Sequence, residues 1–274
     1  MYDDSITSFS EAGADKAQLV RKQFAAFLVG AAMAGAYIGF GDVLMFTAGA
    51  NIDPAWTHLV MGIVFSSALT IVVFAGSELF TGTAMYMPLA LLTGRSTVAD
   101  MIAVWCAAWL GNLIGAIGLA LLIRLAGGGV MLGDGSSTFY SIVGAKMSAG
   151  SWQLLARGIL CNWLVCLAIW MAGRTENAAA KVMLIFWPIT IFVASGFEHS
   201  VANMFTFSLA LIGDHPDNIT VWGAIHNLTW VTIGNLIGGA IFMAFGYWVQ
   251  FNSSGHVSFT PAALPPRTRP KSNQ

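Results

Sequence analysis

Long uncharged apolar stretches, separated by short polar ones, run along almost the whole chain. Residues 24–41, 101–123 and 158–173 carry no Asp, Glu, Lys or Arg, and neither do residues 218–255, which include the titratable His226. A bilayer asks for roughly 20 apolar residues per helical crossing, and each stretch holds one, with Arg157 able to snorkel at the start of the third. Residues 59–94 and 182–213 are different, because each contains one charge, Glu78 and Glu198. Each is too long for a plain span, yet the piece after the charge is about 13–15 residues, short of the roughly 17–25 needed to cross. The pattern predicts that each is one crossing made of two half-helices, broken around Ser77–Gly82 and Ser195–Asn203. Irregular backbone at that depth is tolerated only where it is buried in protein or lines a cavity. Six crossings result. Treating the breaks as hairpins gives eight, but the short half-helices favour six.

The two halves repeat. Gly-Asn-Leu-Ile-Gly stands at 111–115 and again at 234–238, and Ala-Gly-Ser-Glu at 75–78 parallels Ser-Gly-Phe-Glu at 195–198, offsets of 123 and 120 residues. Each half reads span, broken span, span. Three is odd, so the second half lies inverted relative to the first, which points to a substrate site near the midplane where the breaks meet. With six crossings, Lys16, Arg21, Lys22, Arg95, Arg174, Lys181, Arg267, Arg269 and Lys271 fall on the side of the termini, against Arg124, Lys146 and Arg157 on the other. Cationic loops stay in the cytoplasm, so both termini are expected there. The organisation is a cytoplasmic segment 1–23, a transmembrane unit 24–250 and a polar, Pro-rich cytoplasmic tail 251–274 expected to be disordered. Ile6, Phe9, Ala17 and Val20 give the first segment a weak amphipathic stripe suited to an interfacial helix. Gly35 and Gly39, Gly111 and Gly115, Gly234 and Gly238 sit at the spacing that lets helices approach closely in lipid.

Composition narrows the class further. Charged residues are 9% of the chain and hydrophobic ones 57%, against roughly 25% charged in a soluble domain. A soluble globule, a disordered chain and a disulfide scaffold all fit poorly, and a net charge of −1 offers no field for nucleic acid. Cys106, Cys161 and Cys166 lie in apolar runs with no CxxC spacing and read as packing residues, not as a disulfide or zinc framework. The polar N-terminus has no apolar core of a signal peptide. No cofactor or metal is implied.

Charge at bilayer depth is costly and marks function by default. The candidates are Glu78, Glu198 and His199, with Asn112, Asn162, Asn203 and Asn235 as polar groups in apolar surroundings. His199 lies in a break, beside a Glu, in one arm of a repeat, and is read as the working group. Glu78 and Glu198 occupy equivalent places. Ion coordination competes with a structural role, in which the carboxylate accepts N–H groups freed at the break, and the structural role is preferred. The asparagines are read chiefly as partners between helices. Phe65, Leu79, Phe80 and Phe192 fall near the breaks, where bulky apolar groups either pack or form dewetting constrictions. Lys146, in the loop between the third and fourth spans, is either a solvated loop lysine or a concentrator of anions at an outer mouth.

These motifs are specific. Ala-Gly-Ser-Glu-Leu-Phe-Thr-Gly at 75–82, Leu-Cys-Asn-Trp-Leu-Val-Cys-Leu-Ala-Ile-Trp at 160–170, Gly-Phe-Glu-His-Ser-Val-Ala-Asn at 196–203 and Gly-Asn-Leu-Ile-Gly-Gly at 234–239 resemble the formate/nitrite transporter family over residues 20–250. Thr81-Gly82, Trp163 and His-Asn-Leu-Thr-Trp-Val-Thr at 226–232 are similar to its nitrite-channel branch, from which Thr83 and Ala84 depart. The resemblance implies an aquaporin-like, all-α membrane fold in the bacterial inner membrane and a homopentamer with one pore per subunit. It implies small weak-acid anions as substrates: nitrite, with formate or hydrosulfide as alternatives. By resemblance, His199 is the central pore histidine and Thr81 the threonine facing it. Leu79 and Phe80 form the inner constriction, and Phe65 and Phe192 the outer one. Asn162, Asn203, Glu198 and Lys146 support or approach the histidine. The anion either takes a proton from His199 and crosses as a neutral acid, or crosses charged with Thr81 and backbone N–H groups as partners. Two other classes fare badly. An intramembrane hydrolase built on Ser77, Ser195 and His199 needs a serine within reach of its base, and a water channel of aquaporin type needs Asn-Pro-Ala at each break, which neither has.

Overall fold

The computed structural model describes residues 3–253. The elements in chain order are α1 (Asp3–Lys22), α2 (Phe24–Gly49), α3 (Pro54–Ala75), α4 (Phe80–Leu92), α5 (Val98–Leu125), α6 (Gly129–Leu132), α7 (Ser136–Ser148), α8 (Ser151–Ala172), α9 (Ala178–Ala194), α10 (Ser200–Ile212), α11 (Val221–Ile237), a π-wound stretch Gly238–Phe245, and α12 (Gly246–Ser253). Among the described residues five helical segments are long and apolar enough to cross a membrane: α2, α3, α5, α8 and the run from Val221 to Asn252. The second and fifth crossings are the broken ones, α3 with α4 and α9 with α10. The half-helices α4 and α10 have 13 residues each. The breaks are tighter than the sequence suggests, occupying residues 76–79 and 195–199 only, because helix resumes at Phe80 and Ser200.

The halves terminate α3 and α9 in the same way. Gly76 and Gly196 each follow or nearly follow the helix end at φ +69°, a left-handed conformation that suits glycine, and the chain turns there into the break. Glycines also set the closest helix approaches. A Cβ on Gly35 would fall on the backbone of Asn112 and one on Gly115 on the carbonyl of Ala32, locking α2 to α5. In the second half, Gly234 meets Leu155 O and Gly238 meets Ile159 O, locking α11 to α8 in the equivalent pairing. Two faces can be distinguished: the terminal face, carrying α1, and the loop face, carrying α6 and α7.

Several local expectations change. Segment 3–22 is a regular helix whose Ile6, Phe9 and Ala17 are buried against the protein, so the apolar stripe is spent on this chain. Lys146 belongs to α7, not to a loop, and is largely sheltered. α2 does not stop at residue 41, where the uncharged run ends, but continues through Asp42 to Gly49. Helix also continues past residue 251 to Ser253; the disordered tail expected for the remainder lies outside the described residues. Cys161 and Cys166 are buried packing residues, whereas Cys106 is exposed on the helix surface.

Candidate functional site

The two breaks are held by a mirrored pair of asparagines. The half-helix N-termini leave N–H groups without helical partners. Phe80 N–H donates to Asn112 Oδ1 at 2.9 Å, and Ser200 N–H donates to Asn235 Oδ1 at 2.9 Å. The amide nitrogens work in the other direction. Asn112 Nδ2 donates to Ala31 O and Glu78 O, and Asn235 Nδ2 donates to Gly158 O and Glu198 O. The break backbones add one more bond each, Glu78 N–H to Gly30 O and Glu198 N–H to Arg157 O.

The glutamates themselves do something other than expected. Neither carboxylate caps freed N–H groups. Glu78 pairs with Lys16 of α1. Glu198 Oε2 pairs with Lys146 Nζ of α7 at 2.9 Å and accepts from Asn203 Nδ2 at 2.6 Å. Asn203 Oδ1 takes a second proton of Lys146, Asn203 Nδ2 reaches Asn227 Oδ1, and Asn227 Nδ2 returns to Lys146 O at 2.9 Å. The physical reason is economy of partners. The asparagines already satisfy the freed backbone, and a carboxylate buried in the membrane region is cheaper beside an ammonium than beside neutral dipoles.

The half-helices α4 and α10 start at the centre and run to opposite faces, so their positive dipole ends converge. His199 caps α10: its Nδ1 accepts Ala202 N–H at 3.1 Å, and its Nε2 lies 3.1 Å from Thr81 Oγ1 in the first turn of α4. An imidazole nitrogen that accepts carries no proton. The neutral ring therefore holds its proton on Nε2 and donates it to Thr81, leaving the Thr81 hydroxyl free to donate onward. Thr81 O accepts from Asn162 Nδ2 at 3.1 Å and from Cys166 Sγ, so α8 fixes the threonine. Neither Ser77 nor Ser195 is among the hydrogen-bond partners of His199. Thr81, Asn162, Glu198, His199 and Asn203 are all buried.

Two cavities approach this centre. The one on the loop face has a volume of about 560 Å³ and reaches His58, Phe65, Lys146, Arg157, Phe192, Glu198 and His199. The one on the terminal face has about 270 Å³ and reaches Phe9, Lys16, Glu78, Leu79, Tyr86 and Lys181. No residue lines both. Phe65 and Phe192 meet edge to face at 5.9 Å, and Phe192 stacks on the His199 ring at 6.0 Å. Of the sequence-derived residues, the structure brings His199, Thr81, Phe65, Phe192, Glu198, Asn203 and Lys146 together. Leu79 lines the opposite cavity. Phe80 and Asn162 line neither; Phe80 is packed at the start of α4 and Asn162 sits behind Thr81. Sequence reasoning missed Lys16, Asn227 and Asp42. Only Asp42 left a signal, since the apolar run Val43–Phe46 resumes directly after it.

A helical bundle with two interrupted crossings, its densest group of buried polar side chains where the interruptions meet, hollowed from both faces, is the architecture of a membrane channel or transporter for small solutes. Residues 3–249 match the formate/nitrite transporter family. The chain is 47% identical over 248 residues to the nitrite transporter NirC of Salmonella typhimurium, covering 90% of this chain and 91% of that one. A solved structure described as an FNT family ion channel superposes with a TM-score of 0.88 at 46% identity, over 90% of this chain and 99% of the other. A pentameric formate channel with formate bound superposes with a TM-score of 0.70 at 29% identity, over 83% and 97%. The chain belongs to the formate/nitrite transporter family.

Proposed function

We propose that the protein conducts nitrite across the bacterial inner membrane, as a homopentamer with one pathway per subunit and both termini in the cytoplasm. The observation that carries the reading is the 3.1 Å contact between His199 and Thr81, where two half-helix N-termini converge between two cavities. Converging positive dipole ends favour an anion, while the apolar Phe65–Phe192 pair on one side and Leu79 on the other make a bare charge expensive. Lys146 and Arg157 place cationic groups on the loop-face cavity, which Glu198 and Asp42 also line, and these cations attract anions. The substrate follows the 47% identity to a nitrite transporter. Formate is the second reading, favoured by the likeness to a structure with formate bound.

The test is a flux panel in proteoliposomes with nitrite, formate and hydrosulfide, lumenal pH recorded alongside. Nitrite is expected to be carried fastest. Passage of the anion alone leaves the lumenal pH unchanged, whereas passage with a proton acidifies the lumen. His199→Ala removes the ring that orients the Thr81 hydroxyl toward the solute, and loss of one hydrogen bond to a charged group, about 1.5–3 kcal/mol, should lower nitrite flux about tenfold or more. Equal flux in the variant from about pH 5 to about pH 8, the range that brackets an ordinary imidazole, would remove His199 from the pathway.

A further inference from the structure

The mechanism above leaves one buried acid without a task. Asp42 lies well inside α2, a helix of 26 residues, and its side chain is fully buried. It lines the loop-face cavity, and neither carboxyl oxygen has a hydrogen-bond partner. Its neighbour Gly41 packs on Ala68 and on the ring of Phe65, which puts Asp42 beside the aromatic pair. We propose that Asp42 is a proton donor of this cavity, protonating the weak-acid anion before it meets Phe65 and Phe192. This rests on reading the chain as a weak-acid channel.

Three observations support that task over a structural or cation-binding one. The buried polar groups that hold this fold together, Asn112, Asn162 and Asn235, each bond backbone atoms of other segments; Asp42 bonds none. The cavity also holds the cationic Lys146 and Arg157, which suits an anion and disfavours a bound metal or ammonium ion. The charged and titratable groups facing Asp42 across the cavity are His58 from α3, Lys146 from α7, Arg157 from α8, and Glu198 and His199 from the break before α10; α5 and α6 contribute none. Lys146 is already engaged by Glu198 and Asn203, so it is no dedicated counter-ion for Asp42. Burial makes the acid form of Asp42 the resting one, and Thr206, Lys146 and Arg157, which line the same cavity, stabilise the carboxylate left when the proton departs. His199 is poorly placed for that role, because Nδ1 is used by the cap and the Nε2 proton by Thr81.

The step balances without a co-reactant. The O–H bond of the Asp42 carboxyl breaks and its proton passes to an oxygen of nitrite, forming nitrous acid and the Asp42 carboxylate. The neutral acid passes the apolar pair and releases the proton in the far cavity. Asp42 recovers a proton from water at the open mouth, so one proton travels with each anion.

The test joins infrared difference spectroscopy to the flux assay on the reconstituted full chain. The wild type should show a protonated-carboxyl C=O band that disappears in Asp42→Asn and moves in Asp42→Glu. Nitrite flux and lumenal acidification should fall together by about tenfold or more in Asp42→Asn, the lower range of general-acid effects, and recover in Asp42→Glu. A wild-type spectrum without a band assignable to Asp42 would overturn the proposal whatever the vesicles carry, and so would an Asp42→Asn protein with wild-type flux and acidification. Wild-type vesicles that pass none of the three anions would instead sink the channel reading, with the band still deciding the state of Asp42. Should Asp42→Asn not assemble, Asp42→Glu carries both measurements, and a band unmoved by that exchange counts against the proposal.

Discussion

At the scale of single residues, the breaks depend on the chemistry of the amide. One asparagine offers an acceptor to a freed N–H and two donors to carbonyls of separate segments, and no carboxylate can do both. Asn235→Ala leaves Ser200 N–H, Gly158 O and Glu198 O without this partner, a loss of about 3 kcal/mol at the usual cost of buried unsatisfied groups. Asn235→Asp keeps the acceptor but turns a charge toward two carbonyl oxygens, so it should melt no higher than the alanine variant. Thermal unfolding of the detergent-solubilised protein by tryptophan fluorescence checks both, and an aspartate variant as stable as wild type would contradict the capping role. The same logic explains the miss over Glu78 and Glu198. A sequence shows that an acid sits at a break, but the lysine that meets it comes from 62 residues away in one case and 52 in the other.

At the scale of elements, the repeat reaches further than the three spans seen in the sequence. In each half the helix that precedes the first span, α1 or α7, supplies the lysine for the break's glutamate. Nothing in the residues of α1 and α7 betrays that kinship, because only the lysine and its position are shared. The glycine spacing, by contrast, was informative, since close helix approach leaves no other residue at the contact. Gly115 and Gly118 make a controlled comparison one turn apart on α5. A methyl at Gly115 would collide with the Ala32 carbonyl, whereas nothing lies within 4 Å of one at Gly118. Overpacking costs about 1–3 kcal/mol and outweighs the gain of about 0.8–1 kcal/mol from replacing glycine in a helix. Gly115→Ala should therefore lower the melting temperature, and Gly118→Ala should hold or raise it.

At the scale of the whole molecule, the exterior is nearly as apolar as the core. Trp56, Trp152 and Trp222 stand at the loop-face ends of α3, α8 and α11, the place an interfacial aromatic belt occupies, and Trp152 and Trp222 are 78% and 79% exposed. Light scattering of the solubilised protein should give five times the mass of one chain; a monomeric mass would argue against one pathway per subunit in a pentamer. Crossings, breaks and the central histidine were legible in the sequence because lipid imposes length and polarity on every span. Boundaries that lipid does not police were less so: the first span was cut short at Asp42, since an acid inside a crossing reads as its end. Phe80 stands out in the sequence by its place near a break, where packing and constriction are both open, and likeness assigns it to the constriction; it is buried at the start of α4 and lines neither cavity.

The separation of the two cavities has a further consequence. A membrane that stores energy as a proton gradient cannot tolerate an unbroken file of water molecules, along which protons hop without any carrier. Because no wall residue is common to both hollows, the hydrogen-bonded chain is interrupted in the packed layer between His199 and Leu79 even when each hollow is flooded. The cell could keep such a conduit permanently in its membrane without short-circuiting its own energy supply.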